Sequence, residues 1–307
     1  MTDPHEPLAG RRILLAGLGD LGVGFAERLL AAGAEITGVR RGPEAPPGVR
    51  LERLDLRDRR ALERLPTDFD AAVLCVTPAS YDEAGYRAGY LDVATAFAER
   101  FAGAPLRSVV WIGSTAVYGA DPAAADAPMI VDDAPTEPDG FRGRVLLEAE
   151  AALSDAGLPL TALRLSGIYG PGRLAVLRRV LAGRGVPAEP VHWTNRIHRD
   201  DAVGIVEFLL RRAFAGEALP RGVLGTDPEP STRREVFDWL AERLGVALRE
   251  EAPSPADRAP SRRLYPQRLL DLGYRFRHPD FRSGFEAVIA ELEASGELAG
   301  LRNPADA

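Results

Sequence analysis

The sequence predicts an α/β protein: a doubly wound parallel Rossmann sheet with a small, mainly helical C-terminal lobe for the substrate. Three observations predict it. Short apolar runs alternate with amphipathic stretches up to about residue 165. A glycine turn, Gly17-Leu18-Gly19-Asp20-Leu21-Gly22, joins the first run to the first amphipathic stretch. Past residue 170 the alternation loosens into helical stretches divided by Pro-rich connectors.

Residues 12–17, RILLAG, form a short apolar run ending in glycine, as a strand buried on both faces should. Over 20–32 Leu21, Phe25, Leu29 and Leu30 share one helical stripe, and Gly33 closes that helix. Strands follow at 34–39, 49–54, 71–76, 106–113 and 159–165, with helices at 58–65, 82–101 and 141–156. A loop rich in Asp, Ala and Pro spans 119–139. Strands alternating with helices call for a parallel sheet covered on both faces, with right-handed crossovers. The later helices fall at 173–183, 200–215, 232–245 and 279–295, with connectors at 227–230 and 252–260, and the final RNPADA should fray. The expected division is a dinucleotide-binding domain over 1–169, its sheet completed by 198–226, and a lobe from 170–197 and 227–307.

Composition bounds the function. With 307 residues and 46% hydrophobic content the chain can bury a core. A net charge of -7, with Arg interleaved among Asp and Glu, argues against nucleic-acid binding. The one cysteine, Cys75, excludes an intramolecular disulfide and a thiolate zinc site, and it reads as a small buried apolar residue. His5, His192, His198 and His278 lack metal-ligand spacing, so no metal is expected. No apolar run reaches the roughly 18 residues of a membrane span, and the MTDPHEPLAG start has no apolar core. A cytoplasmic protein without membrane contact is expected.

The glycine turn carries the first chemistry. In G-x-G-x-x-G, Gly17 makes the tight turn, Gly19 lets the backbone approach a pyrophosphate, and Gly22 permits close helix–strand packing. Asp20 and Leu21 open the helix whose free N–H groups would hold the anion. Sites for NAD place an acidic residue at the end of the second strand; here Arg40 and Arg41 stand there. Two guanidiniums suit a 2′-phosphate, so NADP(H) is expected ahead of NAD(H). Asp55 and Leu56 fall where the adenine would lie.

Four segments carry a family resemblance: the glycine turn, Gly113–Gly119 (GSTAVYG), Leu163–Pro171 (LRLSGIYGP) and Ile197–Asp201 (IHRDD). The chain resembles the extended short-chain dehydrogenase/reductases, the NAD-dependent epimerase/dehydratase group, over nearly its whole length. That resemblance implies catalysis by a Ser/Thr, a Tyr and a Lys. Ser114 matches the first. Arg144, four residues before Glu148, matches the Lys; it keeps the charge and could hold ribose hydroxyls, but it cannot titrate. The Tyr position falls on Gly140, and its neighbour Phe141 has no hydroxyl. Tyr118 and Tyr169 are then the proton donors to test, while Tyr81, Tyr86 and Tyr90 read as core or groove packing. Thr115, Gly167, Asn195 and Arg196 are the expected substrate contacts. His198 is expected to orient its turn and Asp200 to cap the next helix. Gly167 and Thr194 replace the Asn and Arg of sugar-nucleotide members, which speaks against such substrates. The resemblance implies an atypical NADP(H)-dependent oxidoreductase or epimerase/dehydratase-like enzyme acting on a small polar carbonyl or hydroxyl compound. The alternative is a catalytically degenerate NADP(H)-binding sensor or interaction protein. A homodimer through the helices at 82–101 and 141–156 is also implied.

Overall fold

The computed structural model describes residues 8–119, 126–249 and 261–302. His5, the 252–260 connector, residues 120–125 of the expected loop and the terminal residues 303–307 lie outside the described residues.

The chain begins with β1 (Arg12–Ala16), α1 (Asp20–Ala31), β2 (Glu35–Arg40), β3 (Arg50–Arg53), α2 (Arg59–Leu62) and β4 (Ala71–Leu74). Next come α3 (Glu83–Tyr86), a π-helical turn (Arg87–Leu91), α4 (Asp92–Phe101) and β5 (Ser108–Ser114). After β6 (Met129–Ile130) follow α5 (Phe141–Asp155), β7 (Leu160–Leu165), β8 (Gly167–Tyr169) and α6 (Ala175–Leu181). The chain continues through β9 (Trp193–Thr194), β10 (Arg196–His198), α7 (Arg199–Phe214), β11 (Gly222–Gly225), β12 (Ser231–Thr232) and α8 (Arg233–Leu244). It ends in β13 (Arg263–Leu264), α9 (Gln267–Asp271), α10 (Phe281–Ser295) and α11 (Glu297–Arg302).

Seven strands form one sheet in the order β11-β7-β5-β4-β1-β2-β3. The chain runs outward from β1 through β2 to β3, then returns to the other side of β1 with β4. The strand order therefore reverses between β1 and β4, a topological switch point. Ala16 of β1 stands opposite Val39 of β2 and Leu74 of β4, so three carboxyl ends finish side by side there. Ile13–Ala16 and all of β4 are buried, as helices on both faces require.

Two compact units divide the chain. The first holds the described residues to Tyr118, Pro135–Leu165 and Val203–Val223. The second holds Gly119–Ala134, Ser166–Ala202 and the described residues from Leu224 onward. The second has its own apolar core, with Phe237, Leu240, Phe281, Phe285 and Ile289 buried together. A capping box between Thr232 and Glu235 starts its α8, and Gly245 in the left-handed region stops it.

The expected helix over 82–101 is not uniform: a π-turn separates α3 from α4. A Cβ at Gly89 would lie 2.6 Å from Cα of Pro78, and one at Gly85 would collide with Ser80. This close approach to the 78–80 loop coincides with the widened turn. The two- and three-residue strands β6, β8–β10, β12 and β13 have no signature of their own, because such segments are too short to show a period.

Candidate functional site

The glycine turn crosses the sheet at the switch point. Gly17 has φ +113, donates its N–H to Val39 O at 3.1 Å, and lies so close to Cys75 that a Cβ would collide with the Cys75 carbonyl. A Cβ at Gly22 would strike the Gly17 carbonyl. Gly19 is the N-cap of α1; its backbone is extended, no side chain caps it, and a Cβ there would meet nothing within 4 Å. The start of α1 thus leaves open space beside Gly19, room for an anion that a larger residue at 19 would fill. Asp20 lies in the first turn, where its charge complements the helix dipole, while Leu21 and Gly22 are buried.

A cavity of about 420 Å³ opens beside this turn, wholly within the first unit. Gly17, Gly19, Arg40, Arg41, Asp55 and Leu56 all line it, so six expected cofactor contacts converge. Arg40 is half-buried and donates to Glu44 O at 2.9 Å, whereas Arg41 is exposed. Arg57 was not expected at the site. It donates to both Asp55 carboxylate oxygens, at 3.0 and 2.6 Å, and holds the carboxyl down to about 2. Cys75 is also corrected: it is half-buried and lines the cavity rather than the core. The donor set and the open helix start fit a dinucleotide's pyrophosphate and adenosine.

Beside the cavity, Ser114 ends β5 and accepts from Ala116 N at 3.2 Å. A Cβ on Gly143 would overlap the Ala116 carbonyl, so α5 begins hard against this turn. Gly140 is the N-cap of α5; it is exposed, with open space where its Cβ would be. Arg144, one turn on, is exposed. Neither Ser114 nor Arg144 is among the residues lining the cavity. Thr115 is almost fully buried, and its carbonyl accepts Tyr118 N at 3.1 Å. Tyr118 is corrected as a proton donor. It is 1% exposed, and its hydroxyl accepts from Arg164 Nη1 at 2.9 Å beside the Arg164–Glu150 ion pair.

In the second unit Tyr169 is likewise corrected. Its ring packs on Phe285 and edge-on to His198, its hydroxyl occupies the space a Cβ at Gly284 would need, and burial raises the phenol far above its ordinary range. Asn195 is corrected as a substrate contact because both polar groups of its side chain are already engaged. Asn195 donates to Arg262 O at 2.9 Å and accepts from Leu264 N at 2.8 Å. Arg196 is buried, donates to Ser231 Oγ at 3.2 Å, and is pulled down to about 10 by burial, against the field of Asp227. Gly167 remains exposed and donates to Asn195 O at 3.2 Å.

Two histidines far apart in the sequence meet here. The His198 and His278 rings lie tilted with centroids 4.0 Å apart, and with Asp200 they converge to within 4.8 Å. The start of α7 and the Arg277 guanidinium, 3.3 Å from Asp200, both oppose a cation there. The capping expectation is also corrected: His198 Nδ1 accepts the Asp200 N–H at 3.2 Å, so the histidine supplies the acceptor. Asp201, which sequence reasoning passed over, accepts from Tyr274 Oη, Arg277 N and His278 N at 3.0, 2.8 and 2.9 Å. Among the described residues no helix is long and apolar enough to cross a membrane.

The reversed strand order, the glycine turn at the reversal and the cavity beside it define an NAD(P)-binding Rossmann fold of the extended short-chain dehydrogenase/reductase class. The chain belongs to the NAD dependent epimerase/dehydratase family, whose model matches residues 13–218. Protein YeeZ of Escherichia coli is 27% identical over 281 residues, covering 88% of this chain and 97% of YeeZ. A Methylobacillus flagellatus structure named as an NAD-dependent epimerase/dehydratase is 32% identical, with TM-score 0.76, over 92% of this chain and 99% of that one. Human epimerase family protein SDR39U1 with NADPH shares the fold at 20% identity and TM-score 0.74, over 92% of this chain and 100% of that one.

Proposed function

We propose that the protein is a cytoplasmic NADP(H)-dependent oxidoreductase or epimerase/dehydratase-type enzyme acting on a small polar carbonyl or hydroxyl compound. One observation carries the cofactor choice: Arg40 and Arg41 line the cavity at the end of β2, where an NAD site would carry an acidic residue. The human relative in the fold holds NADPH, whereas Bordetella bronchiseptica WbmG holds NAD, so the choice rests on this chain's own arginines.

When bound, the cofactor supplies or accepts hydride at its nicotinamide. The protein's residues do the rest. The turn at Gly17–Gly22 holds the pyrophosphate through backbone N–H groups. Asp55 and Leu56 border the adenine, and the arginines take the 2′-phosphate as a charge-assisted fork. Ser114 hydrogen-bonds the reacting oxygen, with Thr115 next to it in the chain. Arg144 is a fixed cation for the ribose hydroxyls.

A second reading is favoured by Gly140, which leaves the expected hydroxyl out: a degenerate NADP(H)-binding sensor. Calorimetric titration with NADPH, NADP+, NADH and NAD+ tests the cofactor, and tighter NAD(H) binding reverses the assignment. Nicotinamide absorbance across a panel of aldehydes, ketones and alcohols, with Ser114→Ala as control, tests turnover. Binding without turnover favours the sensor. The homodimer through the surfaces around α4 and α5 belongs to this proposal; a single-chain mass in solution would end it.

A further inference from the structure

We propose that Tyr86 supplies the hydroxyl that Gly140 lacks, its phenol held against the start of α5 by the ring of Phe141. The proposal rests on the reading of the chain as an NADP(H)-dependent enzyme and names the proton donor of that site.

Tyr86 ends α3, yet its ring reaches α5. It meets Phe141 edge-on with centroids 5.6 Å apart, and Phe141 directly follows Gly140. Gly140 has nothing within 4 Å of its Cβ position. A ladder of rings fixes the approach: Tyr86 lies 5.3 Å from Tyr90, and Tyr90 meets the fully buried Trp111 edge-on at 6.0 Å. The Arg142 guanidinium stands over both Tyr86 and Phe141, at 5.7 and 5.9 Å. Gly85, Ala88 and Gly89 of the same stretch line the cofactor cavity, while Tyr86, like Ser114 and Arg144, is not among its lining residues and turns its ring to α5. The π-turn that begins at Arg87 sits here, and such turns concentrate at functional sites.

The other tyrosines of this unit are less suited. The Tyr118 hydroxyl is held by Arg164, Tyr81 is 66% exposed, and Tyr90 backs onto Trp111. Tyr86 is half-buried, and among the described residues its hydroxyl makes no hydrogen bond. The charged and titratable groups facing it are Arg142 from α5, Tyr81 from the preceding loop and Tyr90 from the π-turn; the neighbouring Arg87 is paired with Glu148 at 3.0 Å. Burial raises its phenol against the pull of Arg142, which keeps it protonated at neutral pH, the form that donates. In carbonyl reduction the substrate carbon gains the hydride of NADPH. The π electrons pass to the oxygen, and that oxygen takes the Tyr86 proton. NADP+ and a tyrosinate remain, and water reprotonates the tyrosinate.

Two measurements test this. In protein carrying isotope-labelled tyrosine, the Tyr86 resonance is assigned by its loss in Tyr86→Phe and titrated through the alkaline range with and without NADP+. The cationic nicotinamide should move its midpoint down by about one pH unit. An unmoved midpoint overturns the proposal. In the carbonyl panel, Tyr86→Phe should lower kcat/KM by about 10²–10⁴-fold with NADPH affinity unchanged. Adding Gly140→Tyr to that variant should restore part of the loss. Full activity in Tyr86→Phe overturns Tyr86 alone. A wild-type protein that binds NADPH but reduces nothing overturns the enzyme reading, and with it any proton donation.

Discussion

Gly22 lies directly against Gly17: a Cβ at position 22 would collide with the Gly17 carbonyl, whereas one at Gly19 would meet nothing within 4 Å. The two glycines therefore fail differently when replaced. Gly22→Ala forces α1 away from the end of β1 and should cost about 2–3 kcal/mol as overpacking. Gly19→Ala has a permitted backbone, so it should cost less than about 1 kcal/mol. Its methyl group would nonetheless stand where the pyrophosphate approaches, and dinucleotide affinity should fall at least tenfold. Thermal denaturation alongside a nucleotide titration separates the effects. Equal losses of stability in the two variants would refute the account.

The two arginines at the end of β2 should also differ. Arg40 is partly committed, through its bond to the Glu44 carbonyl, while Arg41 is exposed and shares the field of Asp55. Arg41→Ala should weaken NADPH binding by roughly 10–100-fold, the loss of one or two charge-assisted bonds, and leave NADH binding nearly unchanged. Raising the salt concentration should narrow the difference. If NADH affinity fell in parallel with NADPH affinity, Arg41 would not be reading the 2′-phosphate.

Acid should weaken the fold through His198. Burial, with the neighbouring His278 adding to it, pulls this imidazole down to about 4, against the opposing charge of Asp200. Its Nδ1 accepts the Asp200 N–H, and its Nε2 is buried without a partner among the described residues. The folded value lies below the unfolded value of about 6.5, so the unfolded chain takes up the proton first as pH falls. The stabilisation is complete above about pH 6.5 and is lost as pH drops toward 4, with an effect of the order of 2–3 kcal/mol. Asn at 198 can still accept the helix N–H and does not titrate there. Urea denaturation of His198→Asn over this range should show a flatter pH dependence, and a curve parallel to wild type would exclude His198 as the cause.

The cofactor side was legible because its determinants are local. A strand end, a glycine turn and the residues one step past β2 and β3 must lie at the carboxyl edge of any parallel sheet with this order, so Gly17, Arg40, Arg41 and Asp55 reached one cavity. The partners of Asn195 and Arg196 are remote, so no local pattern shows them. Asn195 bonds Leu264 across 69 residues, and Arg196 bonds Ser231 across 35. Nothing near either residue announces these bonds. The meeting of His198 with His278, and of Tyr86 with Phe141, is tertiary in the same sense. Arg57 has a local signal: a cation two residues after Asp55 can fold back on it, and here it does.

Tyr118 offers a control for the assignment of the proton donor. It stands in a motif matched to the family and so invites a catalytic reading, but its hydroxyl is enclosed with Arg164 and Glu150. Those two side chains are each 11% exposed, with Nη2 and Oε2 2.7 Å apart. A buried pair of this kind needs its remaining donors satisfied, and the Tyr118 hydroxyl accepts one of them. Tyr118→Phe should therefore cost about 1–2 kcal/mol, one hydrogen bond to a charged group, and leave NADPH affinity unchanged. Glu150→Gln should cost more, about 3 kcal/mol, because it leaves the Arg164 charge buried without its counter-ion. If Tyr118→Phe instead kept full stability and lost turnover, Tyr118 would be the donor and Tyr86 would not.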